Sequence, residues 1–304
     1  MTNYSPITLC LSLLILAGML SACASAPEDN EQNYWHVIAQ QHMNNGALHY
    51  QRHQFHQAVH QFISALKTYQ RFNAVDGELN SRINLAKTCI ALHQLDLAQQ
   101  HIDEAQRLIT SHGLSDKTVY LDIMRSSISI QKGELKQAGK LLEKYASNTS
   151  LPEDVYTALL VNNIRLTLLN RDKVSPLLQQ LELVAKDKPK YEPRLWRFRA
   201  QQDHVQKQFA SSDKYYFLAL QRYRSLTDSM GVLMLLREWG ANLIQRGEWQ
   251  AARVRYQDMY NTALSLKLQH HMSVALTGLV QVLEKVGDAK KLDWARQQLK
   301  NLSR

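Results

Sequence analysis

Six histidines fall within 25 residues near the start of the chain: His36, His42, His49, His53, His56 and His60. His56 and His60 stand four apart, so a helix would put both imidazoles on one face, and His53 is near enough to add a third nitrogen. A divalent cation suits that spacing. So does a polar, Gln- and His-rich outer face, which is the reading adopted, with no metal and no cofactor expected. The three cysteines, Cys10, Cys23 and Cys89, have no zinc-site spacing. There is no Gly-rich phosphate loop, no His-Glu-x-x-His and no Gly-x-Ser-x-Gly. Asp and Glu are scattered, without a pairing that marks acid–base work. Catalysis is therefore not expected, and the residues left to do chemistry are cations.

The chain of 304 residues carries a formal net charge of +9, unevenly spread. Residues 34–185 hold 15 basic and 13 acidic side chains, a balance of +2, whereas 186–304 hold 21 and 11, a balance of +10. A field of that sign attracts anionic partners and says nothing about fold. Nucleic acid is not expected as a partner.

The elements that must position these cations come from a repeat. His53-Gln54-Phe55, His93-Gln94-Leu95 and Gly133-Glu134-Leu135 open one series, and Lys207, Gly247 and Gly287 mark a second, each with a period of 40. A fixed period in this range signals a solenoid of stacked units. After each turn the apolar residues keep helical spacing: Phe55, Ala58, Phe62 and Ala65, then Leu95, Ala98, Ile102 and Ala105. Before each turn lies a second helical pattern, with a small residue seven positions upstream: Gly46, Ala86, Ser126, Ala200 and Gly240. Small residues there let two antiparallel helices approach closely. Cys89 holds a packing position and is expected to be an inert buried thiol.

This pattern resembles the tetratricopeptide repeat, lengthened from 34 residues to about 40. The family's small, Ala, aromatic-or-aliphatic and Ala positions match Gly46, Ala58, Phe62 and Ala65 in the first unit and Ala86, Ala98, Ile102 and Ala105 in the second. They match Ala200, Ser212, Tyr216 and Ala219 in the fifth, and Gly240, Ala252, Tyr256 and Met259 in the sixth, with Trp196 and Trp239 alongside. The fourth unit, around Asn170-Arg171-Asp172, is shortened and the seventh degenerate. The resemblance implies an all-α, right-handed α-solenoid of about seven helix pairs over residues 34–304. It also implies a concave groove lined by the first helix of each pair. Groove-facing positions then hold Asn80, Ile83, Lys87 and Ile90 in the second unit, Arg194, Arg197, Gln201 and His204 in the fifth, and Arg237 and Ile244 in the sixth. Arg194, Arg197 and Arg237 are expected to share one surface.

The N-terminus carries an address. Ile7–Leu20 is an uncharged run of 14 residues, too short to span a bilayer, which takes about 20, and suited to a secretory signal. It ends in Leu20-Ser21-Ala22-Cys23, which resembles the lipobox of bacterial lipoproteins. That resemblance implies removal of residues 1–22 and acylation of Cys23. With Ala24 rather than Asp next, it implies the outer membrane, with the body facing the periplasm. Residues 23–33 then read as the lipidated Cys and a flexible tether. The function expected is that of an anchored scaffold binding other envelope proteins through its groove, as in pilus or peptidoglycan machinery assembly. The alternative is an accessory protein that binds an anionic envelope polymer such as peptidoglycan through the basic C-terminal repeats.

Overall fold

Eleven described residues take the left-handed conformation, and seven of them fall at regular intervals, each at the turn within a helix pair: His53 (φ 58°), His93 (60°), Gly133 (79°), Arg171 (60°), Lys207 (61°), Gly247 (74°) and Gly287 (77°). Six are the turn anchors of the sequence repeat; Arg171 adds the shortened fourth unit. In the first turn Gln54 N–H donates to His49 O at 2.9 Å and His53 N–H to Tyr50 O at 3.0 Å. This is the paired bonding that satisfies the last carbonyls of a helix and reverses the chain. The same two bonds recur at Gln94 and His93, Glu134 and Gly133, Asp172 and Arg171, Gln208 and Lys207, and Glu248 and Gly247.

The computed structural model describes residues 28–302 apart from 147 and 149, with side chains from residue 33. Among these it contains seven consecutive helix pairs. The pairs are α1 (Glu28–Gln51) with α2 (Phe55–Arg71), α3 (Val75–Ala91) with α4 (Leu95–His112), and α5 (Thr118–Lys132) with α6 (Leu135–Glu143). Then come α7 (Glu153–Leu169) with α8 (Ser175–Ala185), α9 (Glu192–Val205) with α10 (Phe209–Ser225), α11 (Ser229–Gln245) with α12 (Trp249–Ser265), and α13 (Gln269–Val286) with α14 (Ala289–Leu302). The fold is an all-α solenoid. No described helix is long and apolar enough to cross a membrane. The signal segment 1–22 and Cys23 lie outside the described residues. Of the expected tether, residues 28–33 belong to α1, which begins at Glu28, and residues 23–27 lie outside the described residues. No Gly or Pro interrupts the chain between Glu28 and Gly46, so nothing stops the helix from extending toward Pro27.

The repeat positions are core. Ala58, Phe62, Ala65, Ala86, Ala98, Ile102, Ala105, Ala200, Tyr216, Ala219, Ala252 and Met259 are all buried, as is Cys89. Close approach explains the small residues. A Cβ on Gly46 would fall 2.5 Å from the Phe62 ring, and Tyr256 is held between Gly240 and Gly278, where added Cβ atoms would sit 2.8 and 2.4 Å away. Where the sequence repeat weakens, polar contacts hold the stack. Buried Asp122 accepts from Tyr145 Oη at 2.9 Å and Lys144 Nζ at 3.0 Å, just past the short α6. Buried Asn162 on α7 donates to Ile123 O (3.0 Å) and Ser126 Oγ (2.9 Å) on α5.

The solenoid winds far enough to meet itself. His53, in the turn of the first pair, lies 3.9 Å from Asp228 at the junction of pairs five and six. His93, in the turn of the second pair, stacks on His270 at the start of α13, with ring centroids 3.5 Å apart. Phe55 is buried in the same apolar cluster as the last three pairs, and Tyr50, Ala91 and Leu92 pack against it. One step along the early pairs matches one step along the late ones, so the coil closes edge to edge.

Candidate functional site

The first helices of the pairs line the interior of this coil, and their cations converge there. Arg165 comes from α7, Arg194 and Arg197 from α9, Arg237 and Glu238 from α11, Lys87 from α3 and Tyr50 from α1. Sequence expectation placed Arg194, Arg197 and Arg237 together, and all three fall in one electrostatic neighbourhood with Arg165. They differ in availability. Arg197 is only 2% exposed and faces Glu238, with Nε 3.5 Å from Oε2. The contact is too long and misdirected for a hydrogen bond, so Nε, Nη1 and Oε2 remain buried without hydrogen-bond partners. Burial works against the charge on Arg197, but Glu238 and the neighbouring acidic and phenolic groups outweigh it and hold its pKa up. Arg197 is therefore a structural cation at the base of the site, not a groove-facing one as expected. The reason is its place on the packed side of α9, between Phe198 at 4.8 Å and Glu238.

The guanidinium groups of Arg165, Arg194 and Arg237 make no ion pair, hydrogen bond or ring contact with any described residue. Burial, then the like charges of Arg197, Arg237 and Arg194, push the Arg165 pKa down to about 10, against the pull of Glu238. Lys87 Nζ lies over the Tyr50 ring at 4.8 Å. It keeps solvent contact, yet protein surrounds it closely enough that desolvation lowers its pKa, with Asp154 opposing. Tyr50, across the coil, is pushed up to about 12 by burial and by Asp228, with Arg194 acting the other way. These couplings link the first, second, fourth, fifth and sixth pairs through one interior. Three unpaired guanidiniums held among themselves repel one another, and an anion placed between them would relieve that repulsion while accepting forked hydrogen bonds.

The other expected groove residues are placed differently. Ile83 and Ile90 pack on the core of pairs two and three, and Ile244 on that of the last three pairs. Asn80 is exposed on α3 and Gln201 half-buried on α9. His204 sits at the end of α9, with Nε2 3.1 Å from Gln245 Oε1 and its ring beside Phe209. Among the described histidines of the first pair, His42 bonds Gln61 and His49 bonds Gln54, both at 2.7 Å. No three His, Cys, Asp or Glu side chains converge on a point among the described residues. The Cys89 thiol is pushed up to about 11 by burial, as an inert thiol should be. A cavity of about 190 Å³ at the α7–α8 turn, lined by Leu168, Val174, Gln202 and Val205, is smaller than the roughly 300–1,000 Å³ of small-molecule sites.

Arg165, Tyr50, His270 and His271 were missed from sequence. For Arg165 the signal exists: it stands six residues before Arg171, as Lys87 stands six before His93, so recognising Arg171 as the fourth anchor would have exposed it. Comparison with protein-family models and with curated proteins finds no match for this chain.

Proposed function

We propose that the chain is a non-enzymatic scaffold of the bacterial envelope, anchored to the outer membrane through lipid on Cys23 and facing the periplasm. Its tetratricopeptide-like solenoid would hold other envelope proteins on the inner face. The observation that carries this reading is the set of unpaired guanidiniums of Arg165, Arg194 and Arg237 on the inner face of a coil that closes on itself. Guanidiniums left without an ion pair, with Arg237 exposed and Arg165 and Arg194 part-buried, add little to stability, and they are suited to capture of an acidic partner. Anchoring raises the local concentration of whatever docks. The address rests on the Leu20-Ser21-Ala22-Cys23 box after its apolar run. The anionic-polymer reading draws on the +10 balance of residues 186–304. It is weakened because several of those cations are already paired, such as Arg246 with Asp213 at 2.9 Å and Arg222 with Glu192 at 2.9 Å.

The anchor is tested by intact mass of the membrane-extracted protein. The expected species is residues 23–304 plus a triacyl group. A soluble product with an unmodified Cys23 would remove the membrane from the account.

A further inference from the structure

We propose that the seam of the coil is an acid-operated clasp: as pH falls, the second helix pair parts from the seventh while the first stays fastened at the junction of pairs five and six, and the pairs themselves remain folded. The inference does not depend on what the coil holds. It starts from two contacts that cross the seam and respond to a proton in opposite ways. His93, in the turn of the second pair, lies flat on His270 at the start of α13, with centroids 3.5 Å apart and planes 17° apart. His93 Nδ1 is 3.0 Å from Gln131 Oε1, so the neutral ring keeps its proton on Nδ1 and donates it there. A second proton goes to Nε2. Neutral imidazoles stack in this way, whereas two imidazoliums at that separation repel. At the other contact His53 Nε2 lies 3.9 Å from Asp228 Oδ1, and a protonated His53 gains a counter-charge. Asp228 is held in place as the cap of α11, accepting from Gly231 N–H at 2.8 Å.

The surroundings of the stack are cationic. His271 follows His270 on α13 and Arg237 acts from α11; with His93 these are the charges that bear on the two rings, and none is a carboxylate. Lys267 before α13 and Lys300 in the last turn of α14 are exposed cations. Acids on the elements around them face other partners: Asp96 pairs with Lys132 at 2.9 Å, Glu238 faces Arg197 at 3.5 Å and Asp258 faces Arg224 at 3.8 Å. Burial and these neighbours push His270 and His271 down to about 4, against about 6.5 in solvent. The advantage of the closed seam is thus fully present above about pH 6.5 and is lost as pH falls toward 4. The seam is the contact that gives way, because each pair keeps its own core. Cys89 sits within the core of pairs two and three, while Ala91 and Leu92, two and three residues on, pack across the seam against the last pairs.

That adjacency supplies the test. In the full chain, Ala91→Cys places a thiol on the seam, and native Cys89 reports opening of the core beside it. Alkylation of each is followed by mass spectrometry at pH 7 and pH 5 and divided by the rate of a free thiol peptide at the same pH. Between pH 7 and pH 5 the corrected rate at position 91 should rise at least about ten-fold, staying well above that of Cys89, with the helical circular dichroism unchanged. His93→Asn with His270→Gln should remove the rise; Asn tolerates the left-handed turn. Asp228→Asn keeps a cap on α11 but removes the charge, and should raise the pH 5 rate further. No rise at position 91, a rise that persists in the histidine variant, or Cys89 reacting as fast as position 91 at pH 5 would overturn the clasp. An Asp228→Asn rate equal to that of the parent would overturn the fastening at the first pair.

Discussion

Arg197 and Arg165 carry the same charge in the same interior and are held in opposite ways. Arg197 is buried against Glu238, so removing the carboxylate strands a buried cation. Glu238→Gln is expected to destabilise the fold by about 3–5 kcal/mol, read as a lower urea midpoint with an unchanged slope. Arg165 makes no ion pair, and burial and the like charges of Arg197, Arg237 and Arg194 outweigh the pull of Glu238 on it, so Arg165→Gln should leave the urea midpoint unchanged or raise it. A marked loss of stability in Arg165→Gln would mean that this arginine is structural. The sequence register brought Arg194, Arg197 and Arg237 together but did not separate the structural arginine from the free ones. That division depends on where Glu238 and Phe198 fall around Arg197, which a helical period alone does not resolve.

At the scale of the helix pair, most of the design was legible. A small residue on one helix and an Ala on the next mark a close crossing, and Ala58, Ala86, Ala98 and Ala252 are buried where the pattern put them. Ala98→Leu should overpack the second pair at a cost of about 1–3 kcal/mol, whereas exposed Gln94→Lys should change stability little; thermal melts of the two variants compare them. The left-handed anchors were visible as Gly or His in the repeat but not as a backbone conformation. Lys207 holds φ 61° at the place where Gly133, Gly247 and Gly287 serve other pairs. Lys207→Gly should therefore stabilise by about 0.5–1 kcal/mol, the left-handed cost removed exceeding the added chain entropy. A lower melting temperature would contradict that accounting. The junctions between pairs went unread. Tyr69 with Gly77 and Tyr223 with Gly231 share one spacing, and in each the ring lies where a glycine Cβ would be, 2.3 and 2.2 Å away. Two copies among six junctions are too few to stand out as a repeat.

For the whole molecule, the closure of the coil was not legible. It joins residues from opposite ends of the chain through side chains that belong to no repeat position. It also brings a pH dependence. His270 and His271 are each pushed down to about 4. For His270 the causes are burial, then His93 and Arg237; for His271 they are burial, then His270, Arg237 and His93. Their unfolded pKa is about 6.5, so between pH 6.5 and 4 the unfolded chain binds more protons than the folded one. Stability is therefore fully present above about pH 6.5 and falls as the solution is acidified toward 4. The fold should be less stable at pH 5 than at pH 7, by up to about 4 kcal/mol from the two rings together, and His270→Gln with His271→Gln should flatten the difference. A wild type with no such slope would show that these rings remain solvated.

The central claim is that free arginines on the inner face of a closed coil hold a partner. Co-purification of the lipidated protein from its own envelope, with quantitative mass spectrometry of what comes with it, tests this most directly. The wild type is compared with Arg165→Gln/Arg194→Gln/Arg237→Gln and with an outer variant of equal charge change that includes Lys214→Ala and Lys290→Ala. The account predicts a small set of envelope proteins enriched with the wild type and the outer variant, lost from the inner-face variant, and released as salt rises to physiological strength and screening shortens to about 8 Å. The same proteins retained by the inner-face variant, without sensitivity to salt, would contradict it.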